Sequence, residues 1–405
     1  MFKRGAAAAL CAAYALLLLA LCYYLPFSQL YSHIHSYDSL AKQVETEKDA
    51  RSVKAKRYFS SIKSQESVSL YNSRLHKNLT FVVGIITVQR NKEGTTHGSY
   101  GYLLQSASLL DQMLKMHPLF NNSVPFVCNV DARPQNHQDA VSIYQFMPYT
   151  ERYGLNSLGL APVMIPDTNM SFAGQVYHPS KYRKESIDYA FCLLSAAALK
   201  PQFVILVEED ALAHKDFPLV LEHLLETRLK SSNQKFAFLK LFFPAKWQGF
   251  GFEVIRVLDL ASMSVVGGSI LALVYLFYKI IQRQSCYRLS RIFLAGCLIT
   301  MVSCWLIGRQ GVNELRRVSK HFYRLQTSEG CCTQAMLYPI YVVYNLSRYM
   351  TSNVVSYRTD LAIFDFASLA RLRTYQVEPS LFLHVGFHST LPSPQKHPEE
   401  FIHNV

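Results

Sequence analysis

Glu208-Glu209-Asp210 follows Phe203–Val207, the most apolar strand-like segment of the chain, with no spacer. Three adjacent carboxylates repel one another unless a cation or solvent relieves them. Hard oxygen donors suit Mg2+ or Mn2+, and such a metal usually shares its shell with substrate phosphates. A cation there would neutralise the charge that develops on a diphosphate leaving group. Strand alternation predicts Glu208 and Asp210 on one side and Glu209 on the other. The competing reading is a solvated acidic turn capping the next helix. Position favours the metal site, because ligands of open α/β sheets sit outside the carboxyl ends of the strands.

Two other places hold groups capable of chemistry. Thr359-Asp360 precedes the apolar pattern Leu361, Phe364, Leu369, Leu372. Either residue would serve as a helix N-cap; alternatively Asp360 is a general base acting on an acceptor hydroxyl, with Glu378 next in line. His384 sits among apolar residues in Leu381–His388 (LFLHVGFH), where a lone histidine is more often a satisfied core residue than a ligand. The sequence has no HExxH, paired CxxC, GxSxG elbow or Walker P-loop. Zinc hydrolase, serine hydrolase and P-loop ATPase readings therefore have no support.

The elements around these residues alternate in type. Phe81–Val88 (FVVGIITV), Val124–Val130, Phe203–Val207 and Phe236–Phe243 read as strands, the first a continuous β-branched run of the kind buried on both faces. Helical spacing covers Gly98–Met116, Tyr182–Leu199 and Phe217–Arg228. The pattern predicts an α/β fold with an open, mostly parallel sheet. Residues 27–77 are polar, mostly lack a sustained apolar stripe and read as a stem.

At 405 residues and about 150 residues per domain, two or three domains fit. Only 17% of residues are charged, against about 25% in ordinary soluble chains. The hydrophobicity is bunched into three blocks. Gly5–Leu25 follows Lys3 and Arg4 and ends in Tyr23 and Tyr24; it is long enough to span a bilayer, with a cytosolic N-terminus. A cleaved signal peptide is the alternative, disfavoured by the length of the run and its bulky end. Leu260–Tyr278 and Ile292–Ile307 flank a loop holding Lys279, Arg283, Arg288 and Arg291, which reads as a transmembrane hairpin with a cytosolic turn. A buried helical hairpin competes with that reading, because the second run is short. The three runs hold no charged residue, so they offer no ion path for a transporter.

A hairpin returns the chain to the side it left. Phe81–Gly251 and Cys331–Val405 then share the lumenal compartment with the sequons at Asn78, Asn121, Asn169 and Asn345. Four of the nine cysteines, Cys128, Cys192, Cys331 and Cys332, fall there. An even set in an oxidising lumen suggests disulfides. Three pairings are open; the expected one is Cys128–Cys192 with a vicinal Cys331–Cys332 bridge, and four reduced, buried thiols are the alternative. The implied organisation is 1–26 cytosolic tip and anchor, 27–77 stem, 78–257 first part of the α/β domain, 258–308 membrane hairpin and 309–405 second part. The net charge of +13 points to anionic partners such as phosphates, sugar nucleotides or lipid head groups; no nucleic-acid partner is expected.

FVVGIITVQR, FVCNV, Tyr189-Ala-Phe-Cys192, FVILVEED, FLKLFFP, GCCTQAMLYP and EPSLFLHVGFHSTL occur in that order around the two-span insertion. Together they resemble the Golgi GPI-glycan N-acetylgalactosamine transferase family. The last segment also looks like the N-acetylglucosaminyltransferase IV family, a more distant relative. The resemblance implies a glycosyltransferase-A type of fold. The implied enzyme is inverting, needs Mn2+ or Mg2+, and moves N-acetylgalactosamine from its UDP donor to the first mannose of the GPI anchor on GPI-anchored proteins. It assigns Glu208, Asp210 and His384 to the metal and Asp360 to the base. Val88, Arg90, Glu208, Asp210, Thr333, Gln334 and Thr359 would line the donor site. Glu209, Gln89 and Gln334 depart from the expected Asp, Asp and Pro, which puts metal geometry and donor selectivity in question. A membrane hairpin beside the cleft would hold a membrane-borne acceptor close to the reacting groups. The alternative from another class is a catalytically inactive, membrane-tethered GPI- or glycan-binding scaffold, toward which Glu209 is the one hint.

Overall fold

The computed structural model describes residues 2–90, 99–153, 180–229, 235–283, 288–352, 355, 357–388 and 396–403. The sequon at Asn169 and Cys286 of the expected cytosolic turn lie outside them. The chain divides into two compact units, one of residues 1–41, 244–318 and 397–402, the other of 42–243, 319–396 and 403–405.

In chain order the elements begin with helices α1 (Phe2–Tyr24), α2 (Tyr31–Ile34), α3 (Tyr37–Ser61) and α4 (Ser64–Leu75). Then come β1 (Phe81–Thr87), α5 (Tyr102–Met116), β2 (Ser123–Asn129), α6 (Gln138–Ile143), β3 (Tyr149–Glu151) and α7 (Lys181–Ala197). β4 (Phe203–Glu208), β5 (Ala211–Ala213), α8 (Phe217–Leu224) and β6 (Phe236–Lys240) follow, and α9 (Val254–Ile281), α10 (Leu289–Ile307) and α11 (Arg309–Glu314) interrupt the strand series. It resumes with β7 (Arg324–Thr327), β8 (Ala335–Pro339), α12 (Ile340–Thr351), α13 (Thr359–Leu369), β9 (Arg373–Glu378) and β10 (Phe382–His384).

The larger unit is built on an eight-stranded sheet in the order β3-β2-β1-β4-β8-β6-β9-β7, with β5 and β10 forming a separate two-stranded ribbon. Pairing is parallel from β3 through β4 and between β6 and β9; β8 runs antiparallel to β4 and β6, and β7 to β9. β1 and β4 are almost wholly buried, which is why their sequences are uninterrupted apolar runs rather than alternating ones. Gly84 in β1 is required by packing, since a Cβ there would fall 2.6 Å from the Phe126 ring and 2.7 Å from Leu206. One face of the sheet packs on α5 and α8, the other on α7, α12 and α13. A disulfide joins Cys128 of β2 to Cys192 of α7.

Several expectations need correction. Residues 27–77 are mostly helical, and α3 and α4 bury Ala55, Phe59 and Tyr71 in the main cores; a narrow stripe among charged positions concealed this. The vicinal bridge is not formed: Cys331 and Cys332 are free thiols. Adjacent Cα atoms across a trans peptide stand about 3.8 Å apart, short of the roughly 4.4–6.8 Å span of ordinary disulfides. Strands β3, β5, β7, β9 and β10 carry no long apolar run, and β8 (AMLYP) runs straight into the apolar start of α12; none of the six was foreseen.

The smaller unit contains α9 and α10, which are long and apolar enough to cross a membrane. They approach closely where glycine leaves space: a Cβ on Gly296 would meet Gly268 Cα at 2.9 Å, a contact mode typical of helices in lipid. Among the described residues 11% and 17% of their apolar windows are buried. Arg309, just past α10, closes the pair by donating to Asp259 Oδ2 at 2.7 Å. α1 carries a shorter apolar stretch, Cys11–Tyr24, and the turn after it returns to α10 through Gln29 N to Leu306 O.

Candidate active site at the carboxyl end of β4

The backbone of the acidic triplet is clamped from both neighbouring strands: Glu208 N donates to Gln334 O at 2.8 Å and Glu209 N to Ile86 O at 3.1 Å. β4 ends at Glu208, so the alternation expected for the three carboxylates does not continue past it. Glu208 turns toward Thr333, whose Oγ1 donates to it at 2.6 Å. Glu209 and Asp210 both face Arg90, the first residue of positive charge after β1. Arg90 Nη1 donates to Asp210 Oδ2 at 2.6 Å, and Nε lies 2.7 Å from Glu209 Oε1. Thr87 Oγ1 holds the other Glu209 oxygen at 2.5 Å and lies 2.6 Å from His137 Nε2.

The β5–β10 ribbon brings in His384. Ala211 pairs with His384, Val385 N donates to Asp210 O at 2.8 Å, and His384 Nε2 lies 3.2 Å from Asp210 Oδ2. Gly386 is the only residue type this contact tolerates: a Cβ there would overlap Asp210 Oδ2 and approach His384 Nε2 to 2.9 Å.

Burial and the neighbouring Asp210 push Glu208 up to about 8, and burial pushes Glu209 up to about 7 against the pull of Arg90. Burial also opposes ionisation of Asp210, but Arg90 and His384 overcome it and hold that carboxyl below its usual range. The site is short of positive charge. Asp210 Oδ1 is buried and has no hydrogen-bond partner. Among the described residues no group of three or more His, Cys, Asp or Glu side chains is arranged to hold a metal by itself. What the site offers is an open carboxylate oxygen beside an imidazole, a donor set that suits Mn2+ once substrate phosphates complete the shell.

The second expected group sits on the loop before β8 and at the start of α13. Asp360 Oδ2 accepts from Cys332 N at 3.0 Å and Arg358 Nη2 at 2.8 Å, and Oδ1 accepts from Leu361 N at 2.9 Å. Thr359 Oγ1 lies 3.2 Å from Ser186 Oγ. Gln334 Oε1 is buried without a hydrogen-bond partner. Val88 is half-buried against the α7 side of the sheet, and Gln89 N donates to Asp131 at 3.0 Å. The sequons at Asn78, Asn121 and Asn345 are exposed.

Three residues of this region were not foreseen. His137 is buried behind Thr87, and burial lowers it to about 4, so its ring is neutral. Glu185 of α7 has its carboxyl raised by burial against a hydrogen bond with Thr359, and Asp360 adds to the rise. Lys240, fully buried in β6, donates to Glu329 O at 2.8 Å and to Cys331 O, which anchors the loop carrying Cys332 and Thr333. The lone lysine in an apolar strand was a signal that could have been read; His137 and Glu185 left none.

The model for the family described as GPI-N-acetylgalactosamine transferase PGAP4 matches residues 81–383. The chain belongs to that family. The match opens on the first residue of β1 and closes inside β10, so it spans the acidic triplet, Asp360 and the α9–α10 insertion alike. Membership in the PGAP4 family supports a transferase acting on GPI glycans.

Proposed function

We propose that the protein transfers N-acetylgalactosamine from UDP-N-acetylgalactosamine to the first mannose of the GPI glycan, with inversion and with a divalent cation, on the lumenal side of the Golgi membrane. The observation that carries this reading is the buried triplet at the end of β4, where Asp210 faces His384 and keeps one oxygen unclaimed. Asp210 and His384 would hold Mn2+ or Mg2+, with Glu208 beside them. When bound, the cation would supply charge neutralisation to the departing diphosphate.

The remaining work falls to the chain's own groups. Thr333 fixes the Glu208 carboxylate, and Thr87 with His137 fixes Glu209. Asp360, oriented by the Cys332 amide and Arg358, would accept the proton of the acceptor hydroxyl as general base. α1, α9 and α10 would span the bilayer and keep GPI-anchored proteins near the site, which replaces a bimolecular encounter with a local one.

The test is sugar transfer by the purified protein, with Mn2+ or with EDTA, alongside mass spectrometry of GPI glycans from cells with and without it. A metal-dependent release of UDP that rises with a GPI acceptor is the expected result. No UDP release under any condition, with GPI glycans unchanged, would instead identify a glycan-binding scaffold.

A further inference from the structure

Arg90 is the one arginine or lysine side chain seen touching the triplet among the described residues, and it touches two of the three carboxylates. Its grip is not the parallel two-bond fork that makes arginine–carboxylate pairs strong. Nη1 makes a hydrogen bond to Asp210 Oδ2 at 2.6 Å and a second to His388 O at 3.1 Å. Nε lies close to Glu209 but is not aligned for a hydrogen bond. The guanidinium stands 5.5 Å from the Tyr102 ring centroid, so it has an aromatic surface along which to move. Asp210 Oδ2, the oxygen Arg90 takes, is also the one that His384 faces.

A divalent cation between Asp210 and His384 would therefore meet a guanidinium bonded to the same carboxylate. Two cations that close in a buried site repel strongly. We infer that Arg90 is a built-in counter-ion which the divalent cation displaces from Asp210, and which then turns, still paired with Glu209, to bind the diphosphate of the nucleotide. This rests on the proposed function for its nucleotide and metal.

The consequence is an ordered economy of binding. Metal alone breaks the Arg90–Asp210 contact and leaves the guanidinium with nothing in exchange. Metal with nucleotide gives Arg90 phosphate oxygens, for which its planar fork is well matched. The two ligands must then strengthen one another, and by the same factor in each direction, typically about 5- to 150-fold.

The experiment uses full-length protein in detergent, with Mn2+ binding followed by electron paramagnetic resonance in the absence and presence of UDP. In the wild type, UDP should tighten Mn2+ by a factor within that range. In Arg90→Gln, Mn2+ alone should bind about tenfold more tightly than in the wild type, and the effect of UDP should shrink toward none. Mn2+ without UDP should also raise the melting temperature of Arg90→Gln more than that of the wild type, as a ligand specific for the folded state does. Should Arg90→Gln not fold, Arg90→Lys keeps the charge but not the fork, and its UDP effect must still fall below that of the wild type. Equal Mn2+ affinity in wild type and Arg90→Gln, with an undiminished UDP effect, overturns the inference while the metal site stands. Absence of Mn2+ binding in the wild type with UDP present, or unchanged binding in Asp210→Asn, overturns the metal site and the inference together.

Discussion

Two buried aspartates in the larger unit are treated in opposite ways. Asp111 of α5 is fully buried, and both of its oxygens are occupied: Tyr71 donates to Oδ1, while Tyr58 and Lys115 Nζ (2.7 Å) donate to Oδ2. This knot ties α3 and α4 to α5. Asp210 is equally buried, yet it uses only one oxygen and shares its guanidinium with Glu209. Asp111, with both oxygens taken, holds three helices together. An unsaturated carboxylate costs stability, because a buried polar atom without a partner is expensive, and it persists where something binds. The difference separates Asp111, which knots the fold, from Asp210, which keeps an oxygen for a ligand.

The largest effect should come from Asp210→Ala, which we expect to lower the initial rate of sugar transfer by about 1,000-fold or more, with a melting temperature near that of the wild type. Asp111→Ala should do the reverse. It leaves two tyrosine hydroxyls unpaired and should cost about 3 kcal/mol in denaturant unfolding, while the activity of each folded molecule holds. If Asp210→Ala unfolds, or Asp111→Ala folds normally but loses catalysis, the contrast between the two sites disappears. Thr333→Val removes only the hydroxyl that steadies Glu208 and should lower kcat by up to about tenfold; an unchanged kcat would mean Glu208 needs no such support.

The smallest effect is a pH dependence of the knot. Burial, with the charge of Asp111 next, holds the Tyr58 and Tyr71 hydroxyls well above their ordinary range. In the unfolded chain tyrosine ionises near pH 10 or so, so above that pH the folded state binds more protons than the unfolded one. The stability linked to these groups is then complete below about pH 10 and declines as pH rises further. Tyr71→Phe should flatten that decline in thermal unfolding between pH 9 and 11 or so; an unaltered slope would remove Tyr71 from the account.

The sheet's centre was legible because β1 and β4 are short, almost wholly apolar segments and β2 nearly so, with the length and β-branched or aromatic content that favour a buried strand. α9 and α10 were legible from length and hydropathy alone, and the triplet from carboxylates crowded against a buried strand. The rest depends on partners distant in sequence. Nothing near Arg90 announces that it will lie against Asp210, 120 residues on. β5 and β10 are three residues each, too short to show a period, so the ribbon that carries His384 had no pattern of its own. The alternation rule misplaced Glu209 because it assumes that a strand continues, and β4 stops one residue earlier.

The insertion of α9 and α10 also shapes how the protein is made. Among the described residues β6 pairs with β8 and β9, and both are translated after the two apolar helices. At roughly 5–20 residues per second, the segment Phe236–Lys240 waits for seconds as an unpaired edge carrying two phenylalanines. An unpaired apolar edge invites association with other chains. Until Ala335 emerges and β8 can form, that strand stays open to such association.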